Sequence, residues 1–127
     1  MPVYTLACTQ PLPVSARKAV ADIITDVHCD VTGAPPEFVN VLFLHGQRTR
    51  NGERLAVIGN VRSGGNRNRE LTDSLQAAIH DGVAQAAELP ASQVSVRLIG
   101  FPASWSMEGG EILPEPGEED AWLNRTS

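Results

Sequence analysis

An α/β chain of two successive strand–helix–strand units, giving a four-stranded mixed sheet backed by two helices, is the fold class this sequence predicts. Three observations predict it. Runs of β-branched and apolar residues recur four times, two stretches carry apolar residues at three- and four-residue steps, and the order strand, helix, strand occurs twice. With 127 residues, 42% of them hydrophobic, the chain has one core and one domain spanning 1–127.

The first unit covers 2–45. PVYTLACT (2–9) reads as a strand, and Ser15 after the LPV turn is the expected helix cap. Ala16, Val20, Ile23, Ile24, Val27 and Val31 give the helical stripe, and Gly33 followed by Pro35 and Pro36 ends it. FVNVLFLH (38–45) is the second strand. Asn51 and Gly52 then tolerate the positive φ of a tight hairpin turn between the halves.

The second unit covers 54–100. RLAVIGNV is its first strand. Leu71, Leu75, Ala78, Ile79 and Val83 form a stripe closed by Leu89 and Pro90, and VSVRLI (94–99) is the last strand. Two helices cover one face of such a sheet, so the other needs burial elsewhere, and oligomerisation supplies it. Residues 101–127, with Trp105 and Trp122 among prolines and glycines, have no strong period and read as a segment at a subunit interface. Packing of that terminus on its own domain is the alternative.

Charge narrows the partners. A net charge of −5 disfavours nucleic acid and anionic membrane, and no apolar run approaches the roughly 20 residues of a membrane helix. Cys8 and Cys29 form neither a disulfide framework nor a zinc-type spacing, and no leading signal segment is evident, so a cytoplasmic location is expected. No histidine–cysteine set has metal-ligand spacing and no nucleotide loop follows a strand, so neither metal nor cofactor is expected. Six of the ten basic residues, Arg48, Arg50, Arg54, Arg62, Arg67 and Arg69, are arginines in one short window. Acids crowd 108–120, where Glu118, Glu119 and Asp120 read as solvated loop residues. Arg62 and Arg67 flank Gly64 and Gly65 at the mouth of the second helix, where a guanidinium fork and free backbone donors both suit a carboxylate.

Pro2 follows the initiator methionine. Removal of Met1 exposes a secondary amine, and a terminal amine titrates near roughly 7.7 to 8.0, within reach of either acid or base duty. The simpler reading, a proline that merely begins a strand, fits Pro2 taken alone. His28 lies one position beyond the apolar stripe of the first helix, where a histidine is ordinarily a boundary residue; His45 and His80 read as structural. Arg97 alternates with Val94, Val96 and Leu98 and points to the other sheet face, toward the subunit centre, where Glu108 or the substrate is its expected partner.

Taken together, PVYTLACTQ, SARKAVADIITDVH, FPASWSMEGGEILPEPG and the terminal AWL resemble the tautomerase superfamily, and within it the cis-3-chloroacrylic acid dehalogenase branch, from Pro2 to about Trp122. The resemblance implies a homotrimer in which Pro2 is the catalytic proline and Glu108 the glutamate that activates water. His28 then helps hold substrate, and Arg62 with Arg67 binds its carboxylate. The loop SGGNRNR is two residues longer than that of the branch, so Arg69 competes with Arg67, and Arg97 stands where the branch has a tyrosine that partners the glutamate. The implied activity is enol–keto tautomerisation of 2-hydroxyalkenoates or phenylenolpyruvate, with low hydration or dehalogenation of 3-haloacrylates or alkynoates beside it. Arg67-Asn68-Arg69 and Glu37 also resemble the malonate semialdehyde decarboxylases, and a noncatalytic binding module is the rival from another class.

Overall fold

A computed structural model describes residues 2–125; Met1 and residues 126–127 of the expected C-terminal segment lie outside the described residues. The strands are β1 (Val3–Cys8), β2 (Asn40–His45), β3 (Leu55–Ser63) and β4 (Val94–Pro102), in sheet order β2-β1-β3-β4. β1 pairs parallel with β2 and antiparallel with β3, and β3 pairs parallel with β4. The mixed four-stranded sheet is therefore two βαβ units joined through their first strands.

Two helices of 19 residues, α1 (Val14–Thr32) and α2 (Arg69–Ala87), lie on one face. Along β1, Tyr4, Leu6 and Cys8 alternate inward, and Leu55, Val57 and Val61 do the same along β3. These meet Val20, Ile24, Leu75, Ile79 and Val83 of the helices in one core. Apolar residues spaced three and four apart give each helix such a stripe, and period-two alternation does so in the strands.

Three local expectations are corrected. Ser15 does not cap α1: the helix starts two residues earlier than that cap implies, Pro13 takes the N-cap position, and no side chain accepts a cap bond. Phe38 belongs to a 3-10 turn (Pro36–Phe38) imposed by the preceding prolines, so β2 begins at Asn40. The residues around Asn51 and Gly52 do not make a hairpin between neighbouring strands, because β1 lies between β2 and β3. Gly52 has φ 76°, but Asn51 is not among the positive-φ residues; its amide instead donates to Glu53 Oε1 at 2.7 Å.

Gly33 closes α1 in the left-handed region as expected, and α2 is capped by Asn68, whose Oδ1 accepts from the Leu71 amide at 2.8 Å. After β4 comes a hairpin of β5 (Met107–Glu108) and β6 (Glu111–Ile112), and a short helix α3 (Glu119–Leu123). The segment from Leu113 to Trp122 folds back on its own chain: Leu113 is buried and the Trp122 ring meets Phe38 edge-on at 5.8 Å.

The sheet face away from the helices is uncovered. Leu42, Leu44, Ile58 and Ile99 are 40–54% exposed there, in cross-strand rows with Val3, Thr5, Ala7 and Ala56. No helix among the described residues is long and apolar enough to cross a membrane.

One close approach fixes the floor of the core. Gly59 faces Tyr4 across β1–β3, and a Cβ there would lie 2.6 Å from Tyr4 Cε1 and 2.8 Å from Leu98 Cδ2. Both side chains are packed in, so neither gives way at low cost. Gly59→Ala is expected to destabilise the fold by about 1–3 kcal/mol, as overpacking does, measured by urea unfolding.

Candidate active site

The strand directions bring several chain segments to one end of the sheet. β1 and β2 begin there while β3 and β4 finish there, as the registers Val3–Asn40, Val3–Asn60 and Arg62–Phe101 require. α1 runs back against β1, so its last turns, with His28, return to the same end, and α2 starts from it. Pro2 is buried and its carbonyl accepts from the Asn40 amide at 3.0 Å. It lies one pleat from Tyr4 on the helix-facing side, a separation of roughly 6.6 Å along the strand.

His28 is not a boundary residue: it is 0% exposed. Its Nδ1 hydrogen-bonds the Tyr4 hydroxyl at 2.8 Å, with the two rings edge to face, and its Nε2 has no hydrogen-bond partner. Burial, then the charges of Arg67 and Arg62, pull its pKa down to about 3, so the imidazole is neutral. Tyr4 is held above the ordinary phenol range, chiefly by burial, and stays a neutral hydroxyl.

Arg62 is 3% exposed, and both of its terminal nitrogens are engaged. Nη1 donates to the Pro114 carbonyl at 2.5 Å, and Nη2 donates to Glu119 Oε1 at 2.6 Å in a buried ion pair. Glu119 Oε2 accepts the Gly117 amide at 3.0 Å. Although burial alone would raise it, the Glu119 carboxyl is held below its usual range by Arg62 and by these amide bonds. Reading Glu119 as a solvated loop residue is thus corrected. Its partner lies 57 residues away, a distance that no local pattern encodes.

Arg67 is half-buried, and its Nε and Nη1 are buried without hydrogen-bond partners. Burial and the neighbouring Arg62 hold its pKa below the usual guanidinium range, while Glu119 and Tyr4 act in the opposite direction. The loop carrying it is pinned from the tail side. Gly65 has φ 55°, and a Cβ on it would sit 2.3 Å from the Pro116 carbonyl oxygen. Any side chain at this position would therefore push the tail away.

Pro2, His28, Arg62 and Arg67 are thus gathered at one end of the sheet, with Tyr4 and Glu119 as members that sequence reasoning missed. Arg69 is exposed as the first residue of α2. Arg97 lies beside Ile58 on the uncovered face, lining a cavity of about 320 Å³ with Arg48, Arg50 and Glu53. Glu108 is half-buried in the hairpin, paired with Glu111 across Gly109 and Gly110. His80 Nε2 bonds the Val94 carbonyl at 2.8 Å, and His45 is exposed. Cys8 and Cys29 are free thiols, and no group of three or more metal-ligating side chains occurs among the described residues.

No protein-family profile matches the chain, and no curated protein matches it in sequence. Solved structures do. N1, a member of the cis-3-chloroacrylic acid dehalogenase family, is 30% identical over 95% of this chain and 90% of its own, with a TM-score of 0.83. Pt0534, solved after inactivation by 2-oxo-3-pentynoate, is 24% identical over 87% of this chain and 95% of its own, with a TM-score of 0.74. A fused 4-OT, solved as an asymmetric trimer, is 19% identical over 87% and 94%, with a TM-score of 0.72. The chain belongs to the tautomerase superfamily, within the cis-3-chloroacrylic acid dehalogenase family.

The His28 environment makes stability depend on pH. An unfolded chain protonates its histidine near 6.5, whereas the fold holds His28 neutral down to about 3. Between those values the unfolded state binds more protons, so stability rises with pH and is lost as pH falls through this window. The expected slope is at most about 1.4 kcal/mol per pH unit. Urea unfolding at pH 4, 5, 6 and 7 checks it, and His28→Gln should flatten the dependence.

Proposed function

We propose that this chain is a proton-transfer enzyme acting on small carboxylates, with Pro2 as the catalytic group and His28 and Arg67 as the carboxylate-binding side chains. The observation that carries this reading is the cluster of buried polar atoms without partners, His28 Nε2 and Arg67 Nε and Nη1, at the end of the sheet where β1 begins. A buried donor left unmade costs about 1–3 kcal/mol, and a bound carboxylate offers acceptors for all three atoms. Arg62 adds its charge, and beside the bonds to Glu119 and Pro114 each of its terminal nitrogens keeps a second N–H.

With Met1 removed, Pro2 is a secondary amine in a buried, cationic setting. Both burial and nearby guanidinium groups disfavour its protonated form, which suits a base. In ketonisation of a 2-hydroxyalkenoate, the Pro2 nitrogen takes the enol O–H proton, the O–H pair closes the C=O bond, and the displaced C=C pair takes the proton back from Pro2 as a C–H bond. The amine ends as it began. Carboxylate binding holds the reacting carbon and the enol oxygen in place for both transfers.

Family membership favours a second reading for the same clamp. In hydration of cis-3-chloroacrylate, Pro2 in its protonated form donates to C2 while Glu108 takes a proton from the water that adds at C3, and the resulting 3-chloro-3-hydroxy acid loses chloride and its hydroxyl proton to leave an aldehyde. Arg97, on the other sheet face where the branch has a tyrosine, is an acceptor-free cation and a poor substitute in orienting water. Ketonisation is therefore expected to be the faster reaction.

Rates of 2-hydroxyalkenoate ketonisation test the assignment. Pro2→Ala should lower kcat/KM by at least about 100-fold, the size of a positioned acid or base. Arg67→Ala should cost roughly 1.5–3 kcal/mol in binding, and Arg69→Ala little. A silent Arg67→Ala beside a damaging Arg69→Ala would move the carboxylate site, and an undiminished Pro2→Ala rate would remove the catalytic proline.

We further propose a homotrimer, supported by the exposed row of Leu42, Leu44, Ile58 and Ile99 and by the trimeric assembly of the fused 4-OT. Burying that face between subunits makes stability rise with protein concentration. Light scattering at micromolar concentration should give about three times the 13.6 kDa chain mass; a monodisperse single-chain mass contradicts the assembly.

A further inference from the structure

Tyr4 is the one aromatic residue of the strand that follows Pro2, and its ring is placed with unusual constraint. It is 0% exposed and lies over Gly59, where even a methyl group would come within 2.6 Å of Cε1. The ring meets His28 edge to face, 5.7 Å between centroids and 78° between planes, and the hydroxyl reaches Nδ1 at 2.8 Å. An all-hydrocarbon contact would have filled this space without a hydroxyl. The hydroxyl has a single buried partner, and that partner is a group whose other nitrogen is left unpaired.

We propose that Tyr4 is a positioning residue that fixes His28 as its Nε2–H tautomer, so that this N–H and the Nε and Nη1 groups of Arg67 form one cradle for a single substrate carboxylate. It rests on the reading of His28 and Arg67 as carboxylate-binding residues. A neutral imidazole has one N–H and one lone pair, and the bond made at one nitrogen decides which is which. A phenol is a stronger acid than an imidazole N–H, and an imidazole nitrogen a stronger base than a phenol oxygen, so the O–H donates to Nδ1 and the ring proton resides on Nε2.

Histidine could not donate from Nε2 to a carboxylate in the other tautomer; it would present a lone pair to an anion. Protonation of the ring would also make Nε2 a donor, but burial and the Arg67 and Arg62 charges keep the ring neutral. The hydroxyl thus supplies, through hydrogen bonding, the donor that charge cannot. Among the described residues Tyr4 is the hydrogen-bond partner of Nδ1, and it comes from β1, the strand that Pro2 leads into. The catalytic proline and the orientation of the carboxylate donor are therefore tied to one strand, two residues apart.

Imidazole ¹⁵N spectra of the full chain test this, with acrylate as the probe carboxylate because it has neither enol nor halogen to react. In the wild type Nδ1 should be the unprotonated nitrogen and acrylate should shift Nε2. Tyr4→Phe keeps the ring and should mix the tautomers, raise the acrylate Kd about tenfold, and raise KM for ketonisation by a similar factor with kcat within about twofold. In a His28→Gln background, whose amide N–H₂ needs no tautomer, Tyr4→Phe should add less than about twofold. A wild-type proton on Nδ1, no acrylate shift at His28, unchanged acrylate affinity in Tyr4→Phe, or an equal loss in the His28→Gln background each overturns the proposal. Acrylate binding with these signatures but no ketonisation supports the cradle while removing the catalytic reading of Pro2.

Discussion

The buried pair of Arg62 and Glu119 is the interaction on which the rest of this end of the molecule depends. Two charges taken from water repay that cost only when their remaining groups are also satisfied, and here the Pro114 carbonyl and the Gly117 amide complete the set. Leaving either partner alone would strand a buried charge, at a cost of about 3–5 kcal/mol. The pair therefore anchors the tail to the end of β3. It engages one N–H on each terminal nitrogen of Arg62, and Arg67 stands beside it as a cation whose buried Nε and Nη1 have no partner. One guanidinium is tied into the fold, and the other keeps two buried nitrogens unbonded.

Sheet order explains why so many groups meet in that place. Joining two βαβ units through antiparallel first strands sets the start of β1 against the finish of β3. The crossover helix of the first unit returns its last turns there, and the second unit launches its helix from the same end. A terminal strand residue, a helix residue near a C-terminus and a loop at a helix start are thus neighbours without any long excursion of chain. The opposite sheet face gains nothing from this geometry and keeps its aliphatic row exposed to solvent in the single chain.

Much of this was legible in the sequence because it is periodic. The stripe from Val20 to Val31 and the alternation of Tyr4, Leu6 and Cys8 encode helix and strand directly, and the uncovered face follows from having two helices for one sheet. The turn at Asn51 and Gly52 was misread because turn chemistry is local, whereas which strand sits beside which is decided by packing of whole units. His28 is deeper than its place on the helical wheel suggests, since Tyr4 reaches over it from the sheet and Gly59 makes room for that ring. Glu119 was hidden among exposed acids. A carboxylate in an acidic run looks the same whether it meets water or an arginine 57 residues earlier.

The contact between Gly65 and Pro116 has a consequence for how such chains diverge. The arginine loop and the proline-rich tail are about fifty residues apart in sequence, yet a single added carbon in the loop collides with the tail backbone. Length or composition can drift in one of these segments only if the other accommodates it. Recombination or loop grafting that carries 62–68 without 113–119 would deliver arginines lacking their counter-carboxylate and a glycine lacking its ceiling. The heritable unit of this site is therefore a pair of distant segments, and variation in the loop is expected to track variation in the tail.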